Sequence, residues 1–301
     1  MAGRRGDRSP RRAARAVRDA TGRLMEAPLD WSRARMLGRG SPLAASLHFA
    51  PERWQDGIVA LRAVISEIAA VPDTVSEADV GRKKLAWWGD ALRDRAAHPA
   101  VEALVASGAA DRIAPARFDS LIGSVAEVLE SPRFERQEDA WRHCLALGGP
   151  AARLEAELVD ADDVDRADWS ALGAFAYLVR LVRDIGVDAR ANRWLVPLDL
   201  QAEYQVARQD VLDGSAGRGW DGMIRAWLEE GSRQAVAARD GIPADVAWRQ
   251  RHLLVAHELD LRMARLLARH PRRILERRVR TGHAGNVWTA WRAARRLRRA
   301  V

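Results

Sequence analysis

Two carboxylates four residues apart, Asp184 and Asp188, lie in the string RLVRDIGVDARANRWLVP at residues 180–197. On a helix, a four-residue step brings both to one side of one turn. Like charges so placed repel, and near a helix C-terminus they also oppose the helix dipole. A cation between them relieves both costs. One or two carboxylates, with phosphate oxygens completing the shell, suit Mg²⁺. Arg183 and Arg193 flank the pair and carry the fork that grips phosphate oxygens two at a time. The competing reading is a solvated helix end with ion-paired aspartates, the ordinary fate of a charged face.

The pair must be carried by a helix. Leu172, Phe175, Ala176, Val179, Val182 and Gly186 recur at three- and four-residue steps, which predicts one apolar stripe running to Val187. A second strong helix is expected over Arg53–Val71, with Ile58, Leu61, Ile65 and Ile68 on one face and Pro72 ending it. Thr74 or Ser76 then caps a helix bearing Leu85, Trp88 and Leu92, closed by His98-Pro99. Further helical patterns cover residues 116–130, 141–158, 220–239 and 244–268. Gly148-Gly149 interrupts the second of these at about 1 kcal/mol per glycine relative to alanine. Close packing, ligand approach or a plain helix break would each explain it. The acidic run 159–168 lacks the glycine and terminal glutamate of an EF-hand loop and reads as a connector. His252 and His257 are five apart, which misses a helical metal pair and leaves them as surface or core residues. No useful strand alternation and no glycine-rich phosphate loop occurs.

The chain has 301 residues, a hydrophobic share of 48% and one cysteine, Cys144. It can bury a sizeable core, forms no intrachain disulfide and suits a reducing compartment. Lys83 and Lys84 are the only lysines, a bias that reads as genome composition. The net charge of +8 is divided unevenly: +6 on residues 1–23, +12 on residues 262–301 and −10 between them. An acidic body with basic ends is not a nucleic-acid stripe. It fits anionic lipid or an acidic partner better. Residues 1–23 are too poor in bulky apolar side chains to fold alone and read as a disordered basic tail. They lack the apolar core of a secretory leader, and Asp7 and Asp19 speak against a mitochondrial presequence. The expectation is a cytoplasmic protein in peripheral contact with the inner membrane face, ahead of a mitochondrial matrix one. At the C-terminus Trp288, Trp291 and Leu297 alternate with Arg292, Arg295, Arg296, Arg298 and Arg299. Such a helix either lies in a membrane interface or packs its tryptophans into the domain.

The Arg183–Pro197 string resembles the second aspartate-rich segment of the squalene/phytoene synthase family. That segment runs as an Arg-Asp pair, an acidic residue four later, Gly-Arg, an aromatic and Leu-Pro. Arg183, Asp184, Asp188, Arg193 and Pro197 match it. Tyr177 and Arg180 stand where the family usually has Gln and Asn, and Val187 replaces Glu. KLAWWGDAL followed by HPAVEAL resembles the tract after the family's first aspartate motif. In that alignment the acidic pair falls on Ala69 and Ala70, leaving Asp73, with Glu77 four residues on. LRAVISEIAAVPDTVSE is similar to a degenerate branch, with an acidic residue at Glu67, that includes the mitochondrial complex I assembly factor.

The resemblance spans about residues 30–300 and implies an all-α protein. Residues 24–301 would form a single isoprenoid-synthase-type helical domain around a central cavity. It implies Asp184 and Asp188 as catalytic residues, with Arg183, Arg193, Tyr177 and Arg180 binding substrate. Mg²⁺ would be held by Asp184, Asp188, Asp73 and Glu77, with Glu67 helping to replace the missing pair. The implied ligand is a prenyl diphosphate or another isoprenoid lipid. The implied activity is a prenyltransferase of isoprenoid biosynthesis with weakened or altered condensation. The alternative is a non-catalytic lipid-binding or respiratory-complex assembly factor.

Overall fold

A computed structural model describes residues 17–18, 24–25, 27–38, 40–130, 132–214 and 217–299. The expected basic tail lies outside these residues, except that Val17–Arg18 (β1) pairs antiparallel with Leu24–Met25 (β2). All else that is regular among the described residues is helical, as the apolar spacing predicts. The first half holds α1 (Pro28–Met36), α2 (Pro42–Leu47), α3 (Glu52–Ala69), α4 (Ala78–Arg93), α5 (Pro99–Ala106) and α6 (Asp119–Val128). Two long helices follow, α7 (Gln137–Val159) and α8 (Trp169–Arg190). Then come α9 (Leu198–Tyr204), α10 (Arg208–Leu212), α11 (Trp220–Asp240), α12 (Ala244–Arg249), α13 (Arg251–Arg269), α14 (Arg273–Glu276) and α15 (His283–Arg299).

The apolar stripes do what their spacing requires. Ile58, Leu61, Ile65 and Ile68 of α3 are buried with Trp88, Leu104 and Phe118 in one core. Phe175, Val179 and Val182 of α8 are buried with Trp220, Ile224, Trp227 and Leu254 in another. Tyr177 packs against both cores and sits at their junction.

Glycines set how closely α7 and α8 approach. A Cβ on Gly148 would lie 2.1 Å from the Gly173 carbonyl oxygen, and one on Gly173 would lie 2.2 Å from that of Gly148. Either is far inside van der Waals contact, so only glycine fits this crossing. Gly148-Gly149 is therefore a packing device and not a helix break: α7 runs on through it, with Pro150 inside the helix. The acidic connector also has a structural use. Asp168 caps α8 by accepting from the Ala171 amide. Buried Asp163 accepts from the Arg249 guanidinium at 2.6 and 3.1 Å and so ties the connector to α12. His252 and His257 are both core residues, each 2% exposed.

Candidate functional site

Between the two cores lies a cavity of about 400 Å³. Helix α3 contributes Arg62, Ile65 and Ala69 to its lining, and Pro72 and Asp73 follow from the next turn. Helices α6 and α7 give Leu121, Val125, Leu147 and Gly148. Helix α8 supplies Gly173, Ala176, Tyr177, Arg180, Leu181, Asp184, Val187 and Asp188. The segments after α8 and α14 complete it with Arg193, Leu195 and Arg278. One side is apolar and the mouth is charged. The central cavity that the resemblance implies is present, lined in part by α3 and α8.

Helix α8 continues to Arg190, a turn beyond the apolar pattern, so Asp184 and Asp188 both project from its last two turns. Each aspartate is satisfied separately. Asp184 is buried and held by two guanidiniums at once. Arg183 donates from Nε to Oδ1 at 2.9 Å and from Nη2 to Oδ2 at 2.6 Å. Arg278 does the same at 2.8 and 2.7 Å. Burial alone would raise the Asp184 carboxyl, but the hydrogen bonds from Arg183 and Arg278 outweigh it and hold it below the usual range. Asp188 has less help. Burial pushes its carboxyl above the usual value, against the single hydrogen bond from Arg193.

Arg193 joins the two sides of the mouth. Its Nη2 donates to Asp188 Oδ1 at 2.7 Å, while its Nη1 lies 2.8 Å from Asp73 Oδ1. Tyr177 points into the cavity, its hydroxyl pushed up to about 12 by burial. The Arg180 guanidinium lies over the Tyr177 ring, 5.6 Å from its centre. Arg62 is braced from behind by the buried carboxylate of Glu155. Burial opposes that charge, but the Arg62 guanidinium and His252 bring the Glu155 carboxyl down to about 2.

Several expected site residues stand elsewhere. Arg183 is spent on Asp184 and does not line the cavity. Glu77 sits exposed at the N-terminus of α4, outside the lining. Glu67 is turned away toward Arg35. Of the two alanines aligned with the missing acidic pair, Ala69 lines the cavity and Ala70 does not. The spacing gave no hint of Arg62 or Arg278. Arg278 is 94 residues from Asp184 in the chain, and no periodicity links positions so far apart.

Magnesium binds through one or two free carboxylates plus substrate phosphates. Both Asp184 oxygens already accept two N–H groups each. Arg193 stands between Asp73 and Asp188, where a bridging cation would sit. Among the described residues no three His, Cys, Asp or Glu side chains converge as a metal cage. The acidic residues as arranged do not fit a magnesium centre. What the mouth offers is guanidinium: Arg180, Arg193 and Arg278, a donor set made for phosphate oxygens.

The chain is similar over short stretches to phytoene synthases. It is 32% identical over 81 residues to the phytoene synthase of Arthrospira platensis, covering 26% of each chain. It is 24% identical over 137 residues to the 15-cis-phytoene synthase of Synechococcus elongatus, covering 41% of this chain and 44% of that one. These matches span less than half the length of either relative. In three dimensions it resembles a dehydrosqualene synthase crystallised with a ligand, at TM-score 0.70 and 15% identity, over 90% of this chain and 97% of that one. A squalene synthase from Alicyclobacillus acidocaldarius gives TM-score 0.63 at 15% identity, over 81% and 94% of the two chains. At such identities the likeness is one of fold. The sequence profile described as squalene/phytoene synthase matches residues 38–284, which is most of the chain, and the protein belongs to that family.

Proposed function

We propose that the cavity binds one prenyl diphosphate, with its diphosphate among Arg193, Arg278 and Arg180 and its hydrocarbon against Ile65, Leu121, Val125 and Leu147. The carrying observation is the arginine-led mouth over an apolar cavity. Phosphate oxygens would exchange with the carboxylates now held by Arg193 and Arg278, a trade of one bidentate anion for another. Tyr177 adds a neutral hydroxyl, which donates a hydrogen bond at physiological pH because its proton is held well above it.

In this reading head-to-head condensation is lost. Ionisation of a prenyl diphosphate leaves an allylic cation, which needs electron-rich surroundings. Arg62 instead brings a guanidinium to the cavity wall, and Ala69 supplies no carboxylate to anchor a second diphosphate. Mg²⁺ then adds little to binding, because the guanidiniums already provide the charge. The test is calorimetry with a non-hydrolysable prenyl diphosphate analogue, in EDTA and in Mg²⁺. Comparable affinity in both is expected. Binding only with Mg²⁺ would return the site to metal-dependent chemistry, and detection of a condensed product by mass spectrometry would overturn the loss of activity.

The second reading, a non-catalytic lipid-binding or assembly factor, shares the cavity but not the diphosphate. It gains from Asp184 being fully occupied by structural ion pairs. Copurifying neutral lipid, with no response to the diphosphate analogue, would favour it. Either ligand partitions into membranes, so both readings call for contact with a lipid surface.

A further inference from the structure

Helix α15 is held to the body by a narrow inner face. Ala290 and Ala293 are buried against Ala45, Val255 and Leu259. Buried Asn286 accepts from Arg262 at 2.5 Å and donates to the Gly40 carbonyl at 3.1 Å. Arg296 pairs with Glu258 at 3.0 Å. These contacts fix which side of the helix looks outward.

At 100° per residue, the outward side opposite Ala290 and Ala293 carries Trp288, Trp291, Arg292, Arg295, Arg298 and Arg299. The sequence left open whether the tryptophans pack inward, and they do not: Trp288 is 58% exposed and Trp291 44%. Val287 beside them is 48% exposed. The helix contains no carboxylate. Arg292, Arg298 and Arg299 make no ion pair among the described residues, and Arg295 lies over the Trp291 ring, 5.2 Å from its centre.

We infer that the outer face of α15 docks on an anionic lipid surface, with the helix lying in the plane of the interface. Indole rings are amphipathic and settle at the headgroup level of a membrane. Unpaired arginines beside them gain from the negative surface potential of anionic lipid. The two features occupy different parts of the same face, the tryptophans in the first half of the helix and the arginines in the second. An acidic protein would use the arginines but leave two large indoles to find a pocket. A nucleic acid would need open ring faces to stack on. Here Trp288 and Trp291 stack on each other, with centres 5.1 Å apart and planes 24° apart, and Arg295 covers part of the second ring. Insertion into headgroups needs only the ring edges. No described helix is long and apolar enough to cross a membrane. This surface stands independently of what fills the cavity.

Cosedimentation of the full chain with phosphatidylcholine vesicles, with and without phosphatidylserine, tests the assignment. Binding is expected to the anionic vesicles alone and to weaken as salt screens the surface. Trp288→Ser/Trp291→Ser and Arg292→Gln/Arg298→Gln/Arg299→Gln should each lower the partition by about tenfold or more. All five side chains are exposed, and because the two variants change different residues, one carries the test should the other misfold. Undiminished binding in a folded variant of either kind, equal binding to neutral vesicles, or tighter binding to an oligonucleotide than to vesicles would overturn it.

Discussion

The α3 and α8 walls of the cavity are both long, continuous helices with a largely buried apolar stripe, yet they meet the interior differently. Helix α8 turns Tyr177, Asp184 and Asp188 toward the cavity, while α3 turns Ile65 and Ala69, with Arg62 its only charge. Partners explain the contrast. The α8 carboxylates are matched by guanidiniums, two on Asp184 and one on Asp188. On α3 the acidic Glu67 faces away, toward Arg35. A charge persists on a half-buried wall where a counter-charge reaches it, and only there. The charged wall of this cavity is thus a product of distant segments, and the α3 wall keeps the one charge, Arg62, that such a segment reaches through Glu155.

The sharpest way to break this contrast is Asp184→Asn, which leaves two guanidiniums facing a neutral amide. Urea unfolding should show a loss of about 2 kcal/mol, below the fully buried limit because Arg278 is half exposed. Unchanged stability would mean that the double ion pair is decorative. The reverse experiment gives α3 a charge. Ala69→Asp should cost about 1 kcal/mol in the empty protein, because the new carboxylate is only partly hydrated. Mg²⁺ with a prenyl diphosphate analogue should then raise the melting temperature more in the variant than in the wild type, since a ligand that binds only the folded state stabilises it. An equal gain would show that position 69 does not complete the site.

Arg193→Gln removes the side chain that pairs with both Asp73 and Asp188. Asp73 is half exposed, so the stability loss should stay at or below about 1 kcal/mol. A larger loss would mean that the bridge holds the walls in place. The smallest effect is a pair of opposite titration shifts, readable by carboxyl carbon NMR. Asp184 has a lowered folded value, so its stabilisation is present above the unfolded carboxylate value and lost as pH falls through the folded one. Asp188 has a raised folded value, so the folded state is penalised as pH climbs from the ordinary value through the raised one. If the two titrate together, their environments are not distinct.

The helices were legible in the sequence because each long one alternates apolar and polar residues at its own period. Asp184, Asp188 and Arg193 were legible as a group because they lie within ten residues of each other. Their pairings were not. The sequence marks Arg183 as a phosphate ligand, because it flanks the carboxylate pair and matches the Arg-Asp motif of the family. Its long side chain folds back onto Asp184 instead. Arg278 reaches the site through the fold, from a segment whose local pattern says nothing about the cavity. Asp73, which the resemblance implies as a metal ligand, does line the cavity, but there it pairs with Arg193. Glu67 and Glu77 replace the lost carboxylates only in the alignment that the resemblance implies, and neither lines the cavity: Glu67 pairs with Arg35, and Glu77 is exposed at the start of α4.

The contact between Gly148 and Gly173 has a consequence for how this chain can vary. Both residues line the cavity, and each lies against the other's backbone. Every substitution at either position introduces a Cβ, and the nearest atoms it meets are main-chain atoms that no rotamer change can move aside. A comprehensive substitution scan should therefore find these two positions intolerant even of alanine, although neither has a side chain to lose. Neighbouring Ala69 and Val187 should tolerate a range of residues. Drift in the character of this cavity is channelled away from the α7–α8 crossing and toward α3 and the mouth, where side chains can still be exchanged.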